Sequence, residues 1–168
     1  PRRGSAAVRV RTATRALERL GVRGEIRVTT HAGHAHDLAL AGVASGAGLI
    51  IAWGGDGTIN EVGCALVQRG VRAAPEEKRP ALGIIPGGSG NGLARELRIP
   101  FDSARAIERA IHGEARRVDA GELGGRLFFN VAGVGLDARV AASVSARVDR
   151  RGLIPYLEAS GRELLRCK

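Results

Sequence analysis

Two short apolar runs, each ending in a glycine-rich loop, constrain the fold of this 168-residue chain most strongly. Ala47–Trp53 precedes a loop at 54–57, and Pro80–Ile85 precedes a loop at 87–92. An uninterrupted apolar run bounded by glycine is typical of a strand that is buried on both faces, as in a parallel sheet. Both loops lead into helical patterns, so we expect strand–loop–helix units and an α/β fold.

The rest of the periodicity agrees with this fold class. The spacing of apolar residues and the positions of glycine predict helices and one further strand between the two runs and around them. The helices are expected at Ser5–Leu20, Gly33–Ala44, Thr58–Arg69, Gly92–Leu97 and Ser103–His112, and the strand at Glu25–Thr30. Asp102 is expected to be the N-cap of the last of these helices.

The pattern changes in the last third of the chain. Two strands, Ala115–Leu123 and Arg126–Val134, are predicted on either side of Gly124-Gly125, which is a favourable two-residue hairpin turn. Helical spacing follows the second strand. We therefore predict an α/β domain at 1–113 and the beginning of a second domain at 114–168.

The composition narrows the possible partners. The chain has 26 basic and 17 acidic residues and a formal charge of +9, which suits nucleotide phosphates, nucleic acid or anionic lipid. Aromatic residues make up only 3%, which argues against a base-stacking surface, and we expect no nucleic-acid partner. Two cysteines form no disulfide framework, which indicates a reducing, cytoplasmic setting. No apolar run is long enough to span a bilayer.

The first glycine loop is a candidate anion-binding site. Glycines at a helix start let backbone N–H groups approach a phosphate closely. No Lys or Arg occurs between Val28 and Gln68, so a phosphate here would be held by backbone amides or by a cation that accompanies it. Asp56 would then face Mg²⁺ or the hydroxyl that attacks the phosphate. The alternative is a tight turn with Asp56 as a turn residue. Thr58 and Glu61 also have the spacing of a capping box, which is compatible with a phosphate contact at the same loop.

The second glycine loop resembles the first in its position after a buried strand. Ser89 offers a hydroxyl and Asn91 an amide, and both groups suit phosphate or ribose oxygens. Arg95 lies one turn into the following helix, where it either reaches a phosphate or is a surface cation. The Walker A and Gly-x-Gly-x-x-Gly fingerprints are both absent.

Three histidines invite a metal-binding interpretation that the spacing does not favour. His34 and His36 would face different sides of a helix, and His31 lies outside it. No Cys or Glu stands close to them in the sequence. Cys64 and His112 are interpreted as structural residues.

The ordered motifs resemble the diacylglycerol kinase catalytic domain family. Residues 54–62 read Gly-Gly-Asp-Gly-Thr-Ile-Asn-Glu-Val, and 82–91 read Leu-Gly-Ile-Ile-Pro-Gly-Gly-Ser-Gly-Asn. Further similarity covers the opening Pro-x-x-Gly-Ser, the Thr-x-x-x-Gly-x-Ala segment at 29–35, and residues 118–121 and 128–135. Bacterial members more often have Thr and Asp where this chain has Ser89 and Gly92.

The resemblance implies an ATP-dependent kinase that uses Mg²⁺ to phosphorylate a lipid hydroxyl, such as that of diacylglycerol or a sphingoid base. It implies the fold shared with NAD kinases, with the first strand missing here, followed by a β-rich second domain. It also implies a cytoplasmic protein that works at the inner membrane face. Asp56 would lie near the transferred phosphate. The residues expected to contact ATP are Thr29, Gly54, Gly55, Asp56, Gly57, Thr58, Ile59, Asn60, Gly88, Ser89 and Asn91.

Two other functions stay open at this point. One is a kinase of a soluble substrate, such as an NAD kinase, although Pro86–Arg95 fits the lipid family better. The other is a nucleotide-binding module without catalysis, because the chain resembles a fragment of a larger kinase and is expected to be inactive alone. The exposed apolar side of the hairpin, around Leu127 and Phe129, would favour self-association into a homo-oligomer.

Overall fold

The computed structural model describes residues 3–72 and 79–130. They form two compact units, which divide between Asp119 and Ala120. The first unit contains five helices and two strands among these residues, and the second contains a two-stranded hairpin. In chain order the elements are α1 Arg3–Leu20, α2 His34–Ala44, β1 Leu49–Gly54, α3 Asp56–Arg72, β2 Ala81–Pro86, α4 Gly92–Glu96, α5 Ser103–His112, β3 Gly121–Leu123 and β4 Arg126–Phe128.

The two apolar runs form one parallel sheet. β1 and β2 pair in register from Leu49 opposite Ala81 to Gly54 opposite Pro86. Parallel neighbours need a crossover connection, and α3 provides it. The prediction of an α/β domain with a parallel sheet is therefore confirmed.

Helices cover both faces of this sheet, because alternate strand residues point to opposite sides. On one face, Ile85 packs with Ala16 of α1 and with Ala106 and Ile107 of α5, while Trp53 lies partly buried against this cluster. On the other face, the sheet contacts α2 and α3. The apolar stripe of α3 that turns inward consists of Ile59, Val62 and Ala65, each at most 4% exposed. The sheet is thus the middle of three layers.

The predicted strand at Glu25–Thr30 is wrong. Residues 22–30 form no strand or helix in the structure. β1 and β2 pair with each other, and no described strand edge is paired with this segment. A segment with strand-type composition forms no strand when no neighbouring strand pairs with it, and its backbone N–H groups then bond to other acceptors. Thr30 N, for example, donates to His34 Nδ1 at 3.1 Å.

The predicted capping box of Thr58 and Glu61 is also wrong. α3 begins at Asp56, two residues earlier, so Glu61 lies deeper in the helix than a capping box requires. Its carboxylate instead accepts hydrogen bonds from Gly33 N at 3.0 Å and Ala35 N at 3.1 Å. These N–H groups lie at the start of α2, which has no side-chain cap of its own. Glu61 therefore caps a neighbouring helix and joins α2 to α3.

α5 is capped as predicted, and a glycine in β2 lets this helix pack closely on the sheet. The side chain of Asp102 caps α5 and accepts a hydrogen bond from Arg105 N at 2.9 Å. A Cβ on Gly83 would lie 2.9 Å from Ala110 Cβ, so glycine in β2 lets α5 pack closely on the sheet. No helix among the described residues has the length and apolar character that crossing a membrane requires.

The second unit confirms the hairpin turn but shortens its strands. β3 and β4 pair antiparallel, with Leu123 opposite Arg126. Gly124 and Gly125 have φ values of 55° and 75°, the left-handed region that this two-residue turn requires. The predicted strands extended from Ala115 to Val134, but residues 114–120 are not in a strand and residues after 130 lie outside the described part. The boundary predicted at 113/114 lies before the division seen here.

We expect the replacement Glu61→Ala to destabilise the protein by about 1–2 kcal/mol, since it removes two hydrogen bonds to a charged acceptor that is only partly exposed. Urea or thermal denaturation would measure this loss. Glu108→Ala, an exposed glutamate on α5, is the matched control, and it should change stability by less than about 0.5 kcal/mol. Equal stability of the two variants would contradict the role of Glu61 as a cross-helix cap.

Candidate functional site

The two glycine loops meet at the carboxyl end of the sheet. Gly87 N donates to Gly54 O at 2.8 Å, which extends the pairing of the strands by one residue. One residue further, a Cβ on Gly88 would lie 2.5 Å from Gly55 Cα, a distance that no real Cβ adopts. The loops can therefore touch only because glycine occupies this position. In open α/β sheets, ligands bind beyond this end of the strands.

The first loop presents the start of α3 to solvent. Asp56 and Gly57 are exposed, and a Cβ on Gly57 would meet no atom within 4 Å. The first N–H groups of a helix have no acceptor within the helix, and its dipole favours negative charge there. The backbone of Gly54 packs closely against the side chain of Thr58, since a Cβ on Gly54 would lie 2.6 Å from Thr58 Cβ. An exposed helix start with open space beside it is an arrangement that can receive an anion against backbone amides.

The carboxylate of Asp56 links the two loops. Its Oδ1 accepts a weak hydrogen bond from Leu93 N at 3.4 Å, at the start of α4. Its Oδ2 lies 2.9 Å from the position of a Cβ on Gly90. A negatively charged, exposed group is thus held at the point where both loops converge. A carboxylate in this position can face a cation or accept a proton.

Asn91 shapes the second loop from inside. It is only 4% exposed and has a left-handed backbone with φ 54°. Its Oδ1 accepts from Gly88 N at 2.9 Å, and its Nδ2 donates to Gly88 O at 2.7 Å. The side-chain amide that was predicted to contact ATP is therefore engaged by Gly88. Ser89 remains exposed at the tip of the loop, where its hydroxyl can reach a ligand.

Two arginines contact the second loop. Arg95 was predicted either to bind phosphate or to be a surface cation, and the structure directs its Nε to Gly90 O at 3.1 Å. Arg9 of α1 was not a candidate from the sequence, yet one of its terminal nitrogens donates to Gly87 O at 2.9 Å. A separation of 78 positions along the chain carries no local signal that could have revealed this contact.

Three other residues that the sequence predicted to contact the nucleotide do not present exposed side chains at the two loops. Ile59 is 1% exposed in the core, so its side chain supports α3 rather than facing solvent. Asn60 is partly buried, and its Nδ2 contacts Cys64 Sγ at 3.6 Å. Thr29 lies in the unpaired segment before α2.

Burial raises the pKa of the Cys64 thiol, which favours the unreactive protonated form and agrees with a structural role.

The histidines form no metal centre among the described residues, in which no group of three or more His, Cys, Asp or Glu side chains could hold an ion. His31 and His34 stack with ring centroids 4.7 Å apart. His36 instead contacts Gln68 of α3, with His36 Nε2 3.1 Å from Gln68 Oε1. These contacts involve all three rings, with His34 and His36 on α2 and His31 in the turn before it.

Known proteins are similar to this chain in sequence and in structure. The crystal structure of a diacylglycerol kinase from Bacillus anthracis is similar, with a TM-score of 0.50 and 35% identity over 60% of this chain and 32% of that one. A protein of Chromohalobacter salexigens named probable lipid kinase YegS-like is 38% identical over 141 residues, which is 84% of this chain and 44% of the relative. The diacylglycerol kinase of Bacillus subtilis is 43% identical over 120 residues, 71% of this chain and 37% of the relative.

The chain therefore spans less than half the length of these relatives. The model of the diacylglycerol kinase catalytic domain matches residues 2–123, which include α1, the parallel sheet and both glycine loops. This match confirms the resemblance drawn from the motifs. The chain belongs to the diacylglycerol kinase catalytic domain family.

Proposed function

We propose that the protein containing this chain is a kinase that transfers the γ-phosphate of ATP to the hydroxyl of a lipid. The observation that carries the proposal is the convergence of two glycine loops and one exposed carboxylate, Asp56, at the carboxyl end of parallel strands. Phosphoryl transfer needs little covalent chemistry from the protein, so positioning and charge handling dominate it. This site offers both.

The first loop is suited to hold phosphate oxygens through its backbone. Gly57 leaves open space at the start of α3, where N–H groups and the helix dipole favour an anion. The second loop would contact the nucleotide from the opposite side, where the Ser89 hydroxyl is exposed at the tip of the loop. Ribose and phosphate oxygens both accept hydrogen bonds from such a hydroxyl.

The residues fit Mg²⁺ as the partner of ATP. Magnesium at nucleotide sites is typically held by one or two carboxylates together with phosphate oxygens, and Asp56 supplies such a carboxylate. When bound, the ion neutralises charge that develops on the transferred phosphate. Asp56 also lies where it could orient the acceptor hydroxyl or take up its proton.

A lipid acceptor is favoured over a soluble one by the relatives, which are named lipid kinase and diacylglycerol kinase. The excess of basic over acidic residues agrees with work at an anionic membrane surface, and we propose a cytoplasmic protein that acts at the inner face. To distinguish the acceptors, the full-length protein would be incubated with labelled ATP and either diacylglycerol or a sphingoid base in micelles, or NAD. Label on NAD alone would overturn the lipid proposal.

We expect Asp56→Asn to lower the turnover number in the full-length protein by about a thousandfold or more, because the charge that handles the cation or the acceptor proton is lost. The amide keeps an oxygen for Leu93 N, so the fold should persist. Steady-state kinetics would measure the loss. Asp37→Asn, another exposed acidic residue in the first turn of a helix, is the matched control. A wild-type turnover number in the Asp56→Asn variant would contradict the proposed role of Asp56 in phosphoryl transfer.

We expect Gly57→Val to weaken ATP binding by about tenfold or more without lowering the melting temperature, since the added side chain enters open space that the phosphate would need. Calorimetric titration with ATP and Mg²⁺ would measure the affinity. Gly48→Val is the control, because Gly48 also faces open space but precedes β1 at the other end of the sheet. Unchanged affinity in the Gly57 variant would show that the first loop is only a turn.

A further inference from the structure

Two arginines from different helices hold the two ends of the second glycine loop. Arg9 of α1 donates to Gly87 O at 2.9 Å, and Arg95 of α4 donates to Gly90 O at 3.1 Å. The loop between these carbonyls is exposed and contains no helix or strand. Without such contacts, a segment of this kind samples many conformations.

Each guanidinium is also placed against an aromatic ring. Arg9 lies 5.8 Å from the centroid of Trp53, which is in the strand before the first loop. Arg95 lies 4.8 Å from the centroid of Phe101, which is half exposed. A cation over a ring face is attracted by the ring and restricted in its orientation. The chain has only five aromatic residues among 168, and two of them contact these two arginines.

The hydrogen bonds from the two arginines fix the carbonyl groups of Gly87 and Gly90, and these carbonyls in turn orient the N–H groups of the next residues. A carbonyl that accepts from a guanidinium fixes the plane of the peptide that follows it, because the peptide bond is planar. The peptides after Gly87 and Gly90 carry the N–H groups of Gly88 and Asn91. Gly88 N is itself held by the side chain of Asn91. The arginines and Asn91 together define one shape for the loop.

We propose that Arg9 and Arg95 are positioning residues that hold the second loop in the conformation that binds the phosphates of ATP, an inference that rests on the proposed function. They act through Gly87 and Gly90 rather than by replacing the backbone amides as phosphate ligands. They also bring positive charge to a site whose first loop has no Lys or Arg nearby in sequence. This charge favours the nucleotide without occupying its place.

The test uses Arg9→Gln and Arg95→Gln in the full-length protein, with Arg9→Lys and Arg95→Lys as conservative variants. Arg11→Gln on α1 and Arg105→Gln on α5 are matched controls, since both side chains are exposed. Three quantities are measured: the affinity for ATP with Mg²⁺, the KM for ATP against kcat, and hydrogen exchange at the amides of Gly87 and Gly88. The melting temperature of each variant is recorded beside them.

We expect each Gln variant to raise the KM and Kd for ATP by about tenfold, the effect of losing one charged hydrogen bond, with kcat within about twofold. Exchange at Gly87 and Gly88 should quicken, and the Lys variants should recover part of the affinity. Phe101→Leu, which removes the ring behind Arg95 but not the arginine, should shift the KM in the same direction by less. The controls should behave as wild type.

Different failures separate the two proposals. A wild-type protein that binds no ATP would overturn the proposed function and the ATP part of this inference with it. A wild-type protein that binds ATP, with affinity and exchange unchanged in both Gln variants, would overturn the positioning role alone. A fall in melting temperature with equal loss of kcat and no change in the KM for ATP would show a purely structural role and would also overturn it.

Discussion

The close approach of Gly55 and Gly88 is the constraint on which the rest of the site depends. A side chain on Gly88 would collide with the backbone of the first loop, since its Cβ would lie 2.5 Å from Gly55 Cα. The parallel pairing of β1 and β2 brings the loops side by side, and the bond from Gly87 N to Gly54 O carries that pairing past the strand ends. Asp56 can then contact the start of α4 as well as its own helix. The sheet brings the two loops together, and glycine lets them touch.

The local parts of this fold could be predicted from the sequence because they depend on neighbouring residues. Apolar runs bounded by glycine identified both strands, and Asp102 marked the start of α5. The hairpin turn at Gly124-Gly125 was likewise readable, because its left-handed backbone demands glycine. Each signal lies within a few residues of the feature that it specifies.

The contacts that sequence reasoning missed connect distant parts of the chain. Glu61 matched a capping box by spacing, but the helix started earlier and its carboxylate found Gly33 and Ala35 instead. The segment at 25–30 had strand composition and no described strand to pair with. Arg9 reached Gly87 across the domain. Pattern rules describe what a residue can do, and the tertiary arrangement decides which partner it meets.

The same distinction separates the residues that would touch ATP from those that prepare the site for it. Asn91 and Ile59 both fall within motifs of the family, yet Asn91 holds the backbone of Gly88 and Ile59 anchors α3 in the core. The exposed members of these motifs are Asp56, Gly57, Gly88, Ser89 and Gly90. A site that binds phosphate through backbone amides needs the backbone fixed before the ligand arrives, since ordering it on binding would cost affinity. In the proposed site, much of each glycine-loop motif therefore shapes the loop, and the exposed members are the ones that would contact the ligand.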